Sequence, residues 1–132
     1  MAAIPADYLD LLQKKKAFAH LATIMPDGTP QVTPVWFDYT NGKIRVNSAK
    51  GRVKVRNMQK GAPVALSILD PDDPYRYIQI RGRVERVTEE GASAHIDSLS
   101  NKYLGKNYPW AKPGMVRITF EIEPTAVQTH DG

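Results

Sequence analysis

The chain has 132 residues, 42% of them apolar and 24% charged, which suits one globular domain, residues 1–132, with a single core. It has no cysteine, so disulfides, thiolate metal sites and thiol catalysis are excluded. The net charge is only +4, but the excess is concentrated locally, which points to a local anionic ligand more than to a generally basic surface.

The N-terminal MAAIPADYLD has no basic segment followed by an apolar run, so it does not read as a secretory signal, and no apolar run approaches membrane-spanning length. The expectation is a soluble cytoplasmic protein. Ile4 to Lys16 reads as a short helix, with Pro5 in its first turn, an apolar stripe of Tyr8, Leu9, Leu11 and Leu12, and Lys14 to Lys16 at its negative end. Ala17 to Met25 is a small-residue apolar strand. Pro26-Asp27-Gly28-Thr29 makes a turn, and Pro30 to Thr40, rich in Val, Thr, Trp, Phe and Tyr, is the return strand. Asn41-Gly42 is a two-residue hairpin signal leading into Lys43 to Asn47, so the first half reads as an antiparallel meander.

Lys43 to Leu66 carries Lys43, Arg45, Lys50, Arg52, Lys54, Arg56 and Lys60 and no acidic residue. After the strand to Asn47, the small polar run through Ser48, Ala49, Lys50 and Gly51 leads into a short helix with Val53, Val55 and Met58. A strand, a small-residue turn and a helix start together suit an anion, because free N–H groups and the dipole favour negative charge there. Asn47 and Ser48 add side-chain donors. The alternative is a solvated basic helix. The missing acidic partners favour a phosphate site.

Pro63 to Leu69 is a further strand, and Asp70 to Pro74 a loop. Tyr75 to Thr88 alternates, with Ile78, Ile80 and Val84 on one face and Tyr77, Gln79, Arg81 and Arg83 on the other. Glu89 to Tyr103 is helical, repeating Ala92, Ile96, Leu99 and Tyr103. Gly105 to Gly114 is a loop with Tyr108, Pro109 and Trp110. The last strand, Met115 to Glu123, puts Val116, Ile118, Phe120 and Ile122 on one face. A mainly β chain with six or so antiparallel strands and a few peripheral helices closes most economically into a small barrel.

No self-contained catalytic motif is present. His20, His95 and His130 lack metal-ligand spacing and read as packed or surface imidazoles, and neither a P-loop nor a nucleophile elbow occurs. The pattern suits a binding fold that leaves the chemistry to a cofactor. Within Thr33-Pro34-Val35-Trp36, Pro34 removes a ladder donor, which calls for an edge or bulged strand with backbone groups free for a ligand. Trp36 suits either covering a flat ring or packing in the core. Gln79 suits either reading a ring edge or plain exposure, and Tyr108 and Trp110 suit packing anchors or a lid.

Four pieces carry a resemblance to a known family. They are the hairpin into Thr33-Pro34-Val35-Trp36, the block NSAKGRVKVRNMQKGAPVAL at 47–66, DPDDPYRYIQIRGRVERVT at 70–88, and Tyr103-Leu104-Gly105 with Tyr108-Pro109. In this order they resemble the pyridoxamine-phosphate-oxidase-like (FMN-binding) split β-barrel superfamily, nearest its flavin/deazaflavin oxidoreductase branch of F420-dependent enzymes. The resemblance implies a homodimer with two cofactors at the subunit interface. It implies phosphate and tail binding by Arg52 and Lys54, in a pattern closed by Asn57, with donors from Asn47, Ser48, Ala49 and Lys50. The strand Thr33 to Trp36 would run along the ring, and Gln79 and Trp110 would reach the cofactor from the other subunit. Position 47 is Asn where relatives commonly carry Ser or Thr.

The family uses FMN or F420. Lys50 and Arg56 suit the longer anionic tail of F420, so the implied reaction is hydride transfer from the reduced deazaflavin to an unsaturated small molecule, with the proton from solvent, His20 or Tyr108. The alternatives are an FMN-binding oxidoreductase of the same fold and a cofactor-free nucleic-acid-binding barrel. The expectation is neither nucleic-acid nor membrane partners, and no metal.

Overall fold

The computed structural model describes residues 2–130. One antiparallel sheet of seven strands runs in the order β2-β1-β5-β6-β7-β4-β3. A 3-10 turn, Ala6–Tyr8, leads into helix α1, Leu9–Gln13, whose Leu11 and Leu12 are wholly buried. The expected helix to Lys16 stops early, and Lys15 leaves it to pair with Asp70 and Asp72 at 2.9 Å each. Strands β1 (Ala19–Ile24) and β2 (Pro30–Val35) form a hairpin. Its turn is closed by Asp27, whose carboxylate accepts from the Thr29 amide at 3.0 Å and hydroxyl at 2.6 Å.

The return strand expected over 30–40 is two strands. β2 ends at Val35, Trp36 and Phe37 leave the ladder, and β3 (Asp38–Thr40) pairs with β4 (Lys43–Ala49) across the Asn41-Gly42 turn. Asn41 and Gly42 both have positive φ (53° and 77°), as that turn type requires. The expected meander is therefore replaced by two hairpins at opposite ends of the strand order. This fixes the global shape. In a flat sheet the outermost of seven strands would lie roughly 29 Å apart, but Val35 and Asp38 are three residue steps apart, about 11 Å at full stretch. The sheet must curl until β2 and β3 approach each other. No pairing joins them, and the barrel stays split. Both outer strands are edges, which is where Pro30 and Pro34 of β2 are tolerated.

The remaining strands are β5 (Pro63–Asp70), β6 (Asp73–Thr88) and β7 (Arg117–Thr129). The loop expected over 70–74 is a two-residue turn at Pro71-Asp72, because both strands run further than their apolar patterns reach. β6 bends through register shifts at Arg81/Gly82 and Val84/Arg86. Gly82 permits the first, since a Cβ there would collide with the Glu123 carbonyl and Ile122. The alternation expected of β6 holds: Ile78, Ile80 and Val84 join Leu21, Ile44, Leu66, Ile68, Phe120 and Ile122 in the barrel core. Val116 precedes β7 and is exposed, contrary to its expected place on the inner face.

Helix α2 is only Val53–Asn57, and α3 is Ala92–Leu104, packed on β7 and β4 through Ala92, His95, Ile96, Leu99, Ser100 and Tyr103. The last turn of α3 pins the Trp36-Phe37 crossing. The Tyr103 hydroxyl donates to the Ala17 carbonyl and accepts from the Phe37 amide at 3.4 Å. The Lys102 ammonium donates to the Phe37 carbonyl at 3.0 Å and lies 4.5 Å from the centre of its ring. Backbone groups released from the ladder thus find partners. Burial pushes the Tyr103 phenol well above its ordinary pKa, so it stays protonated.

Candidate functional site

A cleft of about 220 Å3 opens where the end of β2, the end of β4, the start of α2, the side of α3 and the start of β7 converge. Of the residues expected at a site, Pro34, Val35, Trp36, Asn47, Ser48, Arg52, Lys54 and Trp110 all line it. Thr33, Ala49, Lys50, Arg56 and Gln79 do not. Thr33 faces Leu21 along the β1–β2 ladder, Ala49 is buried at the end of β4, and Lys50 and Arg56 are exposed. Gln79 sits mid-sheet between Ser67 and Gln128. Trp110 reaches the cleft of its own chain, so no second subunit is needed to bring it there. His20 lies on β1 opposite Pro34 and Ser67, outside the cleft. Phe18, Ile96, Leu99 and Arg117 also line the cleft, which the sequence does not lead one to expect, and Tyr108, a packing anchor, lid or proton donor from sequence, lines it too.

One wall is aromatic. Trp36 stacks on Tyr103 with ring centres 5.2 Å apart and planes 5° from parallel, and Phe18 meets Tyr103 edge-on at 5.3 Å. Tyr108 stands perpendicular to Trp36 at 6.4 Å, and Trp110 packs against Tyr108 at 5.7 Å. Trp36 is thus held by aromatic contacts outside the ladder and still borders the cleft. The loop bearing Tyr108 is tied back through its amide to Asp97 at 2.9 Å and through Asn107 to Asn101 at 2.8 Å.

The cleft is also cationic, and Arg117 lies 5.1 Å from the centre of the Tyr108 ring. Arg52, Lys54 and Arg117 face the cleft, and none pairs with a carboxylate among the described residues. The first part of the basic stretch behaves otherwise: Lys43 pairs with Glu85 and Glu123, and Arg45 with Asp38. Burial, then repulsion from Arg52, lowers the Lys54 pKa. Burial also lowers that of Arg117, with the same Arg52 repulsion acting against the attraction of Tyr108. An anion placed among the three would relieve that repulsion. Contrary to expectation, the start of α2 contributes little, because the helix is little more than one turn and its few peptide dipoles add little. The side chains carry the charge. Asn57 docks α2 by donating to the Thr23 hydroxyl at 3.1 Å.

Ser48 is 4% exposed, borders the cleft, and its hydroxyl has no hydrogen-bond partner. A buried hydroxyl left unpaired costs free energy, and a ligand atom in the cleft would supply the missing partner. Asn47 differs. Its NH2 donates to the Ala92 carbonyl at 2.9 Å and toward His95 Nδ1 at 3.2 Å, and its oxygen accepts from Arg117 Nε at 2.8 Å. Its side-chain NH2 is spent within the protein, so Asn47 lines the cleft with that donor turned inward.

The sequence profile of the pyridoxamine 5'-phosphate oxidase family matches residues 4–131. The chain belongs to that family. Among solved structures, one named F420 reductase is 35% identical to it, with a TM-score of 0.83 over 95% of this chain and 98% of that one. More distant solved structures share the fold. A conserved hypothetical protein from Mycobacterium tuberculosis has 23% identity, a TM-score of 0.70 and coverage of 98% and 85%. An FAD and heme binding protein from Mycobacterium smegmatis has 16% identity, a TM-score of 0.69 and coverage of 96% and 71%. No curated protein sequence matches.

Proposed function

We propose that the protein is an F420-dependent reductase acting on an unsaturated small molecule. The carrying observation is the set of three cations without carboxylate partners around one aromatic-walled cleft, in a family member 35% identical to an F420 reductase. The residues present suit the group. Arg52, Lys54 and Arg117 would hold phosphodiester and carboxylate oxygens, and the unpartnered Ser48 hydroxyl would donate to the same anion. The end of β2 with Trp36 would lie along the deazaflavin ring. Lys50, Arg56 and Lys60, exposed on the same short segment, would screen a polyanionic tail leaving the cleft. When bound in its reduced form, F420 supplies a hydride to the acceptor. The chain binds, orients and partly excludes water, and because the cleft opens to solvent it need not supply the final proton.

We further propose a homodimer. A cleft of 220 Å3 is below the roughly 300–1,000 Å3 of a site that encloses a ligand. A second apolar hollow of about 280 Å3, lined by Ala22, Ile24, Pro63 and Val64, offers surface for a second copy. Sedimentation is expected to give a stable dimer. A monomer at micromolar concentration with undiminished cofactor affinity would remove this part of the reading.

The deciding experiment is a titration of colourless purified protein with F420 and with FMN, followed by an acceptor screen. Tight F420 binding with weak FMN binding supports the proposal. Yellow protein that carries FMN and ignores F420 makes it a flavin enzyme of the same fold. Affinity for single-stranded nucleic acid with a steep salt dependence, and none for either cofactor, replaces both readings.

A further inference from the structure

We propose that Arg117 contacts the anion in the cleft, and that Asn47 is its positioning residue, locked in orientation by His95 and Asp38. The inference rests on the cofactor reading of the cleft, which already counts Arg117 among its cations, and adds how Asn47, His95 and Asp38 hold that arginine in place. Arg117 lies at the start of β7, half-buried, with its guanidinium 5.1 Å from the centre of the Tyr108 ring and its Nε donating to the Asn47 oxygen. Nη1 also points to Met115 Sδ at 3.5 Å, so Nε, Nη1 and one face are held within the protein while the residue as a whole lines the cleft, with Nη2 bonded to no protein atom among the described residues.

What makes this a built arrangement is the chain of bonds behind it. Arg45 grips both oxygens of Asp38, at 2.7 and 2.9 Å. Asp38 accepts from His95 Nε2 at 2.8 Å, which leaves Nδ1 free to accept. Nδ1 lies 3.2 Å from the Asn47 amide nitrogen and 3.1 Å from the Thr119 hydroxyl, and its single lone pair is directed at this pair of donors. With its NH2 held by Nδ1 and the Ala92 carbonyl, Asn47 can present only oxygen to Arg117. A flipped amide would set oxygen against the carbonyl oxygen and NH2 against the guanidinium. The partner of Arg117 is therefore neutral: Asn47 orients the cation without cancelling its charge, as a carboxylate would. That choice suits a residue kept for an outside anion.

The test is a double-mutant cycle on the full chain, reading dissociation constants for F420 and for inorganic pyrophosphate by calorimetry, with thermal unfolding in parallel. Arg117→Ala is expected to weaken both ligands roughly 10- to 100-fold, the range of charge-assisted hydrogen bonds. Asn47→Ser is expected to weaken both about 5-fold when Arg117 is present and less than about 2-fold when it is already Ala, since coupled residues are not additive. Arg117→Lys, which keeps the charge but loses the fork, should recover only part of the affinity, and it carries the test if Asn47→Ser does not fold. Unchanged binding by Arg117→Ala, or a loss from Asn47→Ser that persists without Arg117, overturns the proposal. So does wild-type protein that binds neither ligand. If pyrophosphate shows the coupled pattern while F420 does not bind, the clamp stands and the cofactor reading falls. If F420 binds and Arg117 is silent, the reverse holds.

Discussion

Lys15 and Arg76 on one side, and Arg52, Lys54 and Arg117 on the other, are the same residue types in opposite settings. Lys15 pairs with Asp70 and Asp72, and Arg76 with Asp70 and Asp10, while Arg76 also donates to the Asp7 carbonyl and covers the Tyr8 ring at 4.9 Å. Every charge there has a partner, and the cluster ties the N-terminal helix to the β5–β6 turn. In the cleft the cations have none among the described residues. Closed ion networks hold elements together. An open set of like charges costs stability and is explained by something outside the chain that completes it.

The largest effect is expected from removing two of the three cations in the cleft. Arg52→Ala with Lys54→Ala is expected to weaken F420 binding by about 3 kcal/mol or more, each single change giving roughly 1.5–3 kcal/mol. Thermal stability should hold or rise slightly, because repulsion is removed. Calorimetry and a melting curve on the same samples check both halves, and two variants that bind F420 as wild type does would return this segment to a solvated basic surface.

Next in size is the closed network. Asp70 is almost wholly buried, and although burial opposes its ionisation, the hydrogen bonds from Lys15, the Asp72 amide and Arg76 hold its pKa well below the ordinary carboxylate value. A folded pKa below the unfolded one gives stability that is complete above roughly pH 4–5 and drains away as the pH falls toward the folded value. Asp70→Asn should cost about 2–3 kcal/mol at neutral pH, under the usual loss for a broken buried pair because Lys15 keeps Asp72 and Arg76 keeps Asp10. The deficit should shrink in acid denaturation series, and cofactor affinity should not change.

A smaller effect tests the orphan hydroxyl. Ser48→Ala should lose about 1 kcal/mol of cofactor affinity while leaving stability unchanged or slightly improved, since an unpartnered buried group is removed. Lys43→Ala is the baseline. Lys43 belongs to the same basic stretch but is paired with Glu85 and Glu123, so its loss should change binding by less than about 0.5 kcal/mol.

The features legible from sequence were those set by a few neighbouring residues. Asn41-Gly42 and Pro26 to Thr29 act through their own backbone preferences, and the β6 and α3 faces repeat with their own periods. The split between β2 and β3 was hidden because Pro30 to Thr40 is strand-forming throughout. What breaks it is Tyr103 and Lys102, held in the last turn of a helix more than sixty residues later. Arg52, Lys54 and Ser48 could be picked out because a cation run without acids is visible in one line. Arg117 is a lone arginine in an apolar strand, and nothing local marks it. Asn47 is visible as a polar donor, but its partners Ala92, His95 and Arg117 come from distant segments, and nothing local shows that its amide bonds inward.

Trp36 and Trp110 are the chain's only tryptophans, and both border the cleft. Excited at wavelengths that the tyrosines do not absorb, the whole molecule therefore emits from its site. Any chromophore that settles there and absorbs in the emission band will draw energy from both indoles. Occupancy can thus be followed in unlabelled protein, and Trp36→Phe and Trp110→Phe divide the signal between the wall formed by the strand crossing and the wall formed by the loop.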